Sequence, residues 1–246
     1  MKLLIAIDDT DNLETRGTGH LAAELAKEIK NHGWGEVKPV TRHQLFVHDD
    51  IPYTSHNSAM CFPATIGQEH WDKLIVFGGV FLETKSALGS DPGFCVLNLD
   101  QLQEPGKLMK YGHQAKKKVL TKERAYQLAD DLNIHLSEHG GTGQGVVGAL
   151  AGAALRLTGN DGRFRGKHLM GHGGEVWTVN DIVSQSDIDR ITDLQGHPIP
   201  AQDKILLGEK VKSVLVDHQS VLLVCPASPN TGHQWYTCTR DMLGDY

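Results

Sequence analysis

Residues 2–11 read KLLIAIDDTD, and residues 20–33 read HLAAELAKEIKNHG. The first stretch is a short apolar run that ends in carboxylates, a pattern typical of a buried strand with polar groups at its carboxyl end. In the second stretch, Leu21, Leu25 and Ile29 recur at helical spacing. A strand, a polar loop and an amphipathic helix in this order predict an α/β fold.

Further apolar runs along the chain predict more strands and helices. Strands are predicted over 36–46, 59–63, 74–77, 94–99, 176–179, 211–216 and 221–224, and helices over 121–133 and 146–157. After Gly159 the apolar runs become shorter and turns more frequent. We therefore predict a boundary near Gly166-Lys167, with an α/β domain over 1–167 and a smaller α+β domain over 168–246.

Composition narrows the class of protein. The chain has 246 residues, a net charge of −6 and a mean hydropathy of −0.31, values typical of a globular protein. No apolar run approaches the ~20 residues of a membrane helix, and the first run ends in Asp8-Asp9 rather than at a cleavage site. The four cysteines form no C-x-x-C pair, so we expect reduced thiols, no zinc ribbon and a cytoplasmic protein.

The first candidate site is the run Asp8-Asp9-Thr10-Asp11. Three carboxylates within four residues repel one another unless a cation, a proton or water intervenes. Oxygen ligands at the end of a strand suit Mg²⁺, which binds one or two carboxylates together with phosphate oxygens. The alternative is a helix cap and turn, since Asp and Thr serve there too.

The second candidate site is the run Gly140-Gly141-Thr142-Gly143-Gln144-Gly145, which opens a helix of small residues. Glycines let backbone N–H groups approach a phosphate, and a helix N-terminus favours an anion. The run fits neither a P-loop nor G-x-G-x-x-G, so a flexible turn before a packed helix stays open. Seven basic residues also cluster between Lys107 and Arg124, where they face either solvent or a phosphate.

Four segments in order resemble those of the archaeal tRNA-isoleucine agmatinylcytidine synthetase family. The family begins with a D-D-T-D loop followed six residues later by a Thr, here Thr18. Its later landmarks are an I-P-Y-K-T-R-G-N-G-A stretch, an N-P-G turn before a strand, and a G-x-G-x-(V/I)-G-A-x-A helix start. The corresponding segments here are Ile7–Asp11, Ile51–Ala59, Asp91–Gly93 and Gly143–Ala151.

The resemblance implies a kinase-like domain followed by a ferredoxin-like domain. Family members use ATP to activate a cytidine carbonyl carbon, which agmatine then attacks, and a Thr after the D-D-T-D loop becomes phosphorylated. Carried over, Asp8, Asp9 and Asp11 would bind Mg²⁺ and the triphosphate, and Thr18 would accept phosphate. The nucleotide would be held by Thr10 and by the segment Gly141–Gly145, which also contains Thr142, Gly143 and Gln144.

This chain also departs from the family pattern. The family continues into an OB-fold and a zinc ribbon that bind tRNA, and the stretch at 54–59 lacks an Arg and two glycines. We therefore expect a nucleotide and a small-molecule acceptor as partners, no membrane association, and no tRNA binding by the chain alone. A homo-oligomer, and a partner that supplies RNA binding, are both left open.

The sequence thus predicts an enzyme that uses ATP and Mg²⁺ as a phosphotransferase or an ATP-driven ligase on a small molecule or nucleoside. His20, His43 and Asn57 are assigned to the acceptor pocket because they lie near the motifs. One alternative is a nucleotide-binding regulatory protein without turnover. The other is a phosphatase of the haloacid-dehalogenase type, for which Asp9-x-Asp11 after a strand would supply the nucleophile and the acid.

Overall fold

The computed structural model describes residues 1–51, 57–166, 168, 171–229, 231–244 and 246. It divides into two compact units, Met1–Thr158 and Gly159–Tyr246. The boundary predicted from sequence lies after residue 167, which falls outside the described residues. Most of the predicted stretch from Ile51 to Ala59 also lies outside them, because residues 52–56 are not described.

The first unit is built on an antiparallel sheet. Its strands are β1 (Lys2–Asp8), β2 (Gly35–Val37), β3 (Thr41–Gln44), β4 (Ser58–Ile66), β5 (Gly93–Asn98) and β6 (His135–Glu138). They lie in the order β6-β5-β1-β4-β3, and β2 pairs with another part of β4. Strand β1 is therefore central, which explains its continuous apolar sequence.

Helices cover both faces of this sheet. They are α1 (Thr18–Asn31), α2 (Trp71–Lys85), α3 (Pro105–Ala115), α4 (Lys122–Asp131) and α5 (Gly145–Thr158). Leu3, Ile5 and Ile7 of β1 pack in one core with α1 and α2. Leu4 and Ala6 pack in the other core, with α3, α4 and α5. Alternate residues of one buried strand thus serve two helical layers.

The mixed α/β class predicted from sequence is confirmed, but the ferredoxin-like element order lies in the first unit. There the elements β1, α1, β3, β4, α2 and β5 run as strand, helix, two strands, helix, strand, which is the split βαβ pattern, with the short β2 placed between α1 and β3. The described residues of the second unit contain a single α-helix of seven residues. This helix lies between β8 and β9, whereas a two-residue turn joins β11 to β12.

The second unit is mainly a sheet of short strands. Its elements are β7 (Arg163–Phe164), β8 (Val176–Thr178), α6 (Val179–Gln185), β9 (Arg190–Asp193), β10 (Lys204–Leu206), β11 (Val214–Val216), β12 (Gln219–Pro226) and β13 (Trp235–Thr237). The strand order is β7-β11-β12-β13-β10-β8, with β9 parallel to β12. None of the described helices in either unit has the length and apolar character needed to cross a membrane.

One predicted strand, 74–77, is wrong, since these residues lie within α2. Gly78 and Gly79 in the sequence indicate a break, but both are packing positions inside the helix. A Cβ at Gly78 would overlap the ring of Phe94, and one at Gly79 would lie 2.6 Å from Cε1 of His139. Their bare backbone lets two rings approach the helix, so the helix continues through them.

Candidate functional site

The site lies at one edge of the first unit's sheet. Asp8, the last residue of β1, pairs with Gly93 at the start of β5, and Gly93 pairs on its other side with Glu138 at the end of β6. The loops that follow β1 and β6 and the loop that precedes β5 therefore lie close together at this edge of the sheet. We name them the acidic loop (residues 8–11), the proline loop (residues 90–92) and the glycine-rich loop (residues 140–145).

The acidic loop begins with a backbone turn that is unusual for its residue type. Asp9 has a φ of 50°, in the left-handed region that residues other than glycine rarely occupy. Asp and Asn are enriched there among such residues, and the conformation costs of order 1–3 kcal/mol. A residue held in this conformation at a strand end is consistent with a functional site.

Burial and mutual repulsion favour protonation of two of the carboxyl groups. Burial, followed by the charge of Asp9, raises the pKa of Asp8 to about 8. Burial, followed by the charges of Asp91 and Asp11, raises the pKa of Asp9 to about 6. A bound cation would reverse these shifts, because it favours the ionised form of a carboxyl group.

Helix α5 and the proline loop approach the acidic loop through glycines. A Cβ at Gly148 would overlap Oδ2 of Asp8, so the carboxyl group lies directly against the backbone of α5. Gly93 and Gly145 touch backbone to backbone in the same way, and the Gly145 N–H donates to the carbonyl oxygen of Asp91 at 3.1 Å. The start of α5 is thereby fixed beside the end of β1.

The glycine-rich loop is anchored by Thr142. Its hydroxyl donates to Oδ2 of Asp91 at 2.6 Å, and its backbone N–H donates to Oδ1 of the same carboxylate. The N–H groups of Gly143, Val146 and Val147 donate to carbonyl oxygens within the loop. Most of the donors that a phosphate would use are therefore occupied in this conformation, so phosphate binding by the loop stays a prediction.

Thr18 is held by the acidic loop. Its hydroxyl donates to Oδ1 of Asp11 at 2.6 Å and accepts from the backbone N–H of Thr10 at 3.3 Å. The Thr18 N–H, in the first turn of α1, donates to the same Asp11 oxygen at 3.1 Å. Asp11 therefore caps α1, and it is also placed to take the hydroxyl proton of Thr18.

Thr10 carries the most direct sign of a missing partner. Its hydroxyl is buried and makes no hydrogen bond among the described residues. Leaving such a group unsatisfied costs about 1–3 kcal/mol, so buried polar groups of this kind call for an explanation. An oxygen ligand or a cation at the acidic loop would satisfy it.

The three residues assigned to an acceptor pocket each have a hydrogen-bond partner close to them in sequence or on a neighbouring segment. His20 lies in the first turn of α1, with Nε2 3.5 Å from Arg16. His43 on β3 is fully buried, with Nε2 2.8 Å from the hydroxyl of Thr41. Asn57 donates to the carbonyl oxygen of Phe46 at 2.6 Å and so supports the connection between β3 and β4. Their role in the acceptor pocket stays a prediction.

Two residues of the site carry no recognisable signal of their own role. The charge of Asp91 raises the pKa of Asp9, and its carboxylate accepts the hydrogen bonds of Thr142. The sequence shows Asp91 only as part of a turn, Asp91-Pro92-Gly93. Gly148 lies against Asp8, although in sequence it is one small residue among many. Both functions depend on contacts between distant segments, which spacing along the chain does not reveal.

The basic cluster runs from α3, which the sequence analysis did not predict as a helix, through residues 116–118 into α4. Lys107 pairs with Glu104, and Lys122 pairs with Glu138 and donates to the carbonyl oxygen of Thr142. Three other lysines of the cluster lie at a groove of about 570 Å³. The groove is lined by Gly106, Met109, Lys110, His113, Gln114, Lys117 and Lys118. It offers a positively charged surface beside an apolar floor.

Comparisons with known proteins give matches among solved structures. No protein-family model and no curated protein matches the sequence. A tRNA fluorescent labeling enzyme is 24% identical with a TM-score of 0.55, and apo TiaS, an agmatidine synthetase acting on an isoleucine tRNA, is 22% identical with a TM-score of 0.54. A complex of TiaS with that tRNA and ATP is 23% identical with a TM-score of 0.55.

Each alignment covers 63% of this chain but only 35–36% of the matched chain, so this chain spans about a third of their length. At such identities the likeness concerns the fold. The TiaS complex contains tRNA. The expectation that this chain alone does not bind tRNA is therefore not supported by the comparison. The resemblance to the agmatinylcytidine synthetase family is thus confirmed as a TiaS-like fold over about two thirds of the chain.

Proposed function

We propose that this protein is an enzyme that uses Mg²⁺ and ATP as a phosphotransferase or an ATP-driven ligase, with the nucleotide bound at the acidic loop. The observation that carries the proposal is the convergence of this loop, the proline loop and the start of α5 at one sheet edge. The fold shared with TiaS, which has been solved with ATP, supports the same assignment.

The donor set suits a hard cation. Asp8 and Asp9 would ligate Mg²⁺, and the Thr10 hydroxyl lies among them without a partner. The described residues contain no group of three or more His, Cys, Asp or Glu able to hold a metal by themselves. Mg²⁺ commonly takes one or two protein carboxylates and completes its shell with phosphate oxygens and water, so nucleotide and metal would bind together. When bound, Mg²⁺ neutralises the charge that develops on the phosphate oxygens.

Thr18 is the proposed phosphate acceptor or phosphate-positioning residue. The 2.6 Å contact between its hydroxyl and Asp11 gives a carboxylate within reach of the proton that must leave during phosphorylation. The phosphatase alternative requires Asp11 to serve an incoming substrate, whereas Oδ1 of Asp11 already accepts two hydrogen bonds from Thr18. This geometry favours phosphate transfer to Thr18 over hydrolysis at Asp9.

The acceptor is proposed to be a small molecule or a nucleoside, free or within RNA. The basic groove formed by α3 and the residues that follow it supports RNA as a carrier of the nucleoside, since Lys110, Lys117 and Lys118 present positive charge beside an apolar floor. The TiaS complex with tRNA points the same way. A free nucleoside would need the pocket alone and would bind independently of these lysines.

A thermal melt with and without ATP and Mg²⁺ tests the nucleotide site. Ligand at 100 times its dissociation constant adds about 2.7 kcal/mol to the free energy of unfolding. We expect a Mg²⁺-dependent rise in melting temperature that is lost in Asp8→Asn/Asp9→Asn. The matched control is Asp49→Asn/Asp50→Asn, an exposed adjacent pair with the same change in charge, which should keep the shift.

Two outcomes separate this proposal from its rivals. A Mg²⁺-ATP shift without transfer of the γ-phosphate to Thr18 or to an added acceptor selects the regulatory protein without turnover. No shift in a well-folded protein refutes the nucleotide site, and with it both ATP-dependent functions. Release of phosphate from simple phosphomonoesters, lost in Asp9→Asn, would select the phosphatase.

A further inference from the structure

A second polar cluster lies on the opposite face of the first unit's sheet from Asp8. Nε2 of His139 lies 2.8 Å from the hydroxyl oxygen of Ser137, and Nδ1 of His139 lies 3.1 Å from Oε1 of Glu83. On its other side the Ser137 hydroxyl oxygen lies 3.0 Å from Nε2 of His135. The nucleotide site uses none of these four side chains.

The chemistry of the groups fixes the direction of the protons. Glu83 as a carboxylate only accepts, so Nδ1 of His139 carries its proton and Nε2 holds a lone pair. The Ser137 hydroxyl then donates to His139 and accepts from the Nε2–H of His135. A hydroxyl, an imidazole base and a carboxylate that orients the base are the arrangement that activates a serine nucleophile.

The packing holds the imidazole in this position. Gly79 of α2 leaves the helix backbone bare where the His139 ring lies, and the Phe94 ring meets the rings of His135 and His139 edge-on at 5.7 and 6.2 Å. The His139 side chain is 12% exposed, whereas the Glu83 side chain is 60% exposed. Ser137 itself is half-buried on the edge strand β6, so the cluster opens to solvent on one side.

The second unit contains a similar cluster that lacks access. Nε2 of His168 lies 2.9 Å from the hydroxyl oxygen of Ser213, and its Nδ1 contacts Asp187. Ser213, however, is fully buried and also accepts from the Ser220 hydroxyl at 2.8 Å. The two clusters share donors and acceptors but differ in the accessibility of the serine, which makes Ser213 an internal comparison.

We propose that Ser137, His139 and Glu83 form a second active centre for acyl transfer, with carboxylic esters as the substrate class. The Ser137 oxygen forms a bond to the acyl carbon while its proton passes to Nε2 of His139. The bond between the acyl carbon and the alcohol oxygen breaks, and the departing alcohol takes that proton. Water then attacks the acyl-serine with His139 as base, releases the acid and returns the proton to Ser137.

The test uses the full-length protein and p-nitrophenyl acetate. We expect a burst of p-nitrophenolate close to one equivalent per chain and an acetyl group that peptide mapping places on Ser137. Ser137→Ala should abolish both, and Glu83→Gln should slow the burst by at least about tenfold, since a misoriented base loses much of its effect. Ser58→Ala, which removes a half-buried strand serine bonded to Arg42, is the matched control and should react like the wild type.

The position of the acetyl group decides the result. Acetylation confined to Ser137 supports the proposal, and Ser213 should stay unmodified. A wild-type burst in Ser137→Ala, or no acetyl-Ser137 in a protein that melts as the wild type does, overturns it. Because the assay contains no nucleotide, its outcome is independent of the proposed ATP site.

Discussion

Replacing Asp8 by Asn should stabilise the protein in the absence of ligands. The carboxyl group has a pKa of about 8 in the folded state against 3.8 as its ordinary value, because it is buried beside Asp9 and against α5. Between these two values the folded state keeps a proton that the unfolded chain has released. Stability therefore falls as pH rises through this window, by about 1.4 kcal/mol per pH unit, and levels off above pH 8.

The magnitude follows from the same difference. At pH 7 the pH is about three units above the ordinary pKa of 3.8, at which the unfolded chain releases this proton. Keeping Asp8 protonated in the folded state therefore lowers the free energy of unfolding by about 4 kcal/mol. This is a large fraction of the roughly 5–15 kcal/mol typical of a domain. An amide of the same shape carries no charge at any of these pH values, so Asp8→Asn should recover most of that cost at pH 8 and little at pH 4.5.

Urea unfolding at pH 4.5, 6, 7 and 8 measures this effect, with circular dichroism as the readout. The matched control is Asp49→Asn, an exposed aspartate, which should follow the pH dependence of the wild type. Equal unfolding free energies for Asp8→Asn and wild type at pH 8 would refute the reasoning. A gain at pH 8 that is also present at pH 4.5 would show that the amide acts through packing rather than through charge.

Three further predictions concern ligand binding. Mg²⁺ affinity in the presence of ATP should increase between pH 6 and 8.5, because the carboxyl groups of Asp8 and Asp9, with pKa values of about 8 and 6, must lose their protons to bind the metal. Calorimetry in buffers of different ionisation enthalpy should detect the released protons. A pH-independent affinity would contradict this prediction. Gly148→Ala should abolish the Mg²⁺-ATP melting shift, because its Cβ would overlap the Asp8 carboxyl group, whereas Gly106→Ala, with open space around it, should keep the shift. Thr18→Ala should lose phosphate incorporation from γ-labelled ATP while Thr18→Ser retains it, and full labelling of a folded Thr18→Ala protein would end the acceptor assignment.

Elements with a strong local pattern were predictable from the sequence. The apolar run before Asp8 gives β1, and the helical spacing after Thr18 gives α1 (Thr18–Asn31). Helix α3 begins with Pro105-Gly106, which reads as a turn, although Pro suits the first turn of a helix. The predicted strand over 36–46 is two short strands, β2 and β3, which pair with different parts of β4.

The candidate site was predictable as motifs but not as an arrangement. The acidic and glycine-rich loops stand out in the sequence because each concentrates one residue type. Their meeting depends on the register that places Asp8, Gly93 and Glu138 side by side across three strands. Proximity in sequence was a weaker guide, since Asn57 lies near the motifs and yet uses its side-chain amide on the backbone of Phe46.

Glycine explains much of this difference between sequence and structure. In a sequence, glycine usually indicates a turn or a helix end, because it lacks the steric restriction of a Cβ. In this fold several glycines instead provide bare backbone for another group: Gly148 for the Asp8 carboxyl group and Gly79 for the His139 ring. Both groups belong to proposed sites, and both need close contact with a helix to stay fixed in one orientation. At these two positions glycine therefore marks a place where a polar group is held against a helix, rather than the turn that the sequence alone indicates.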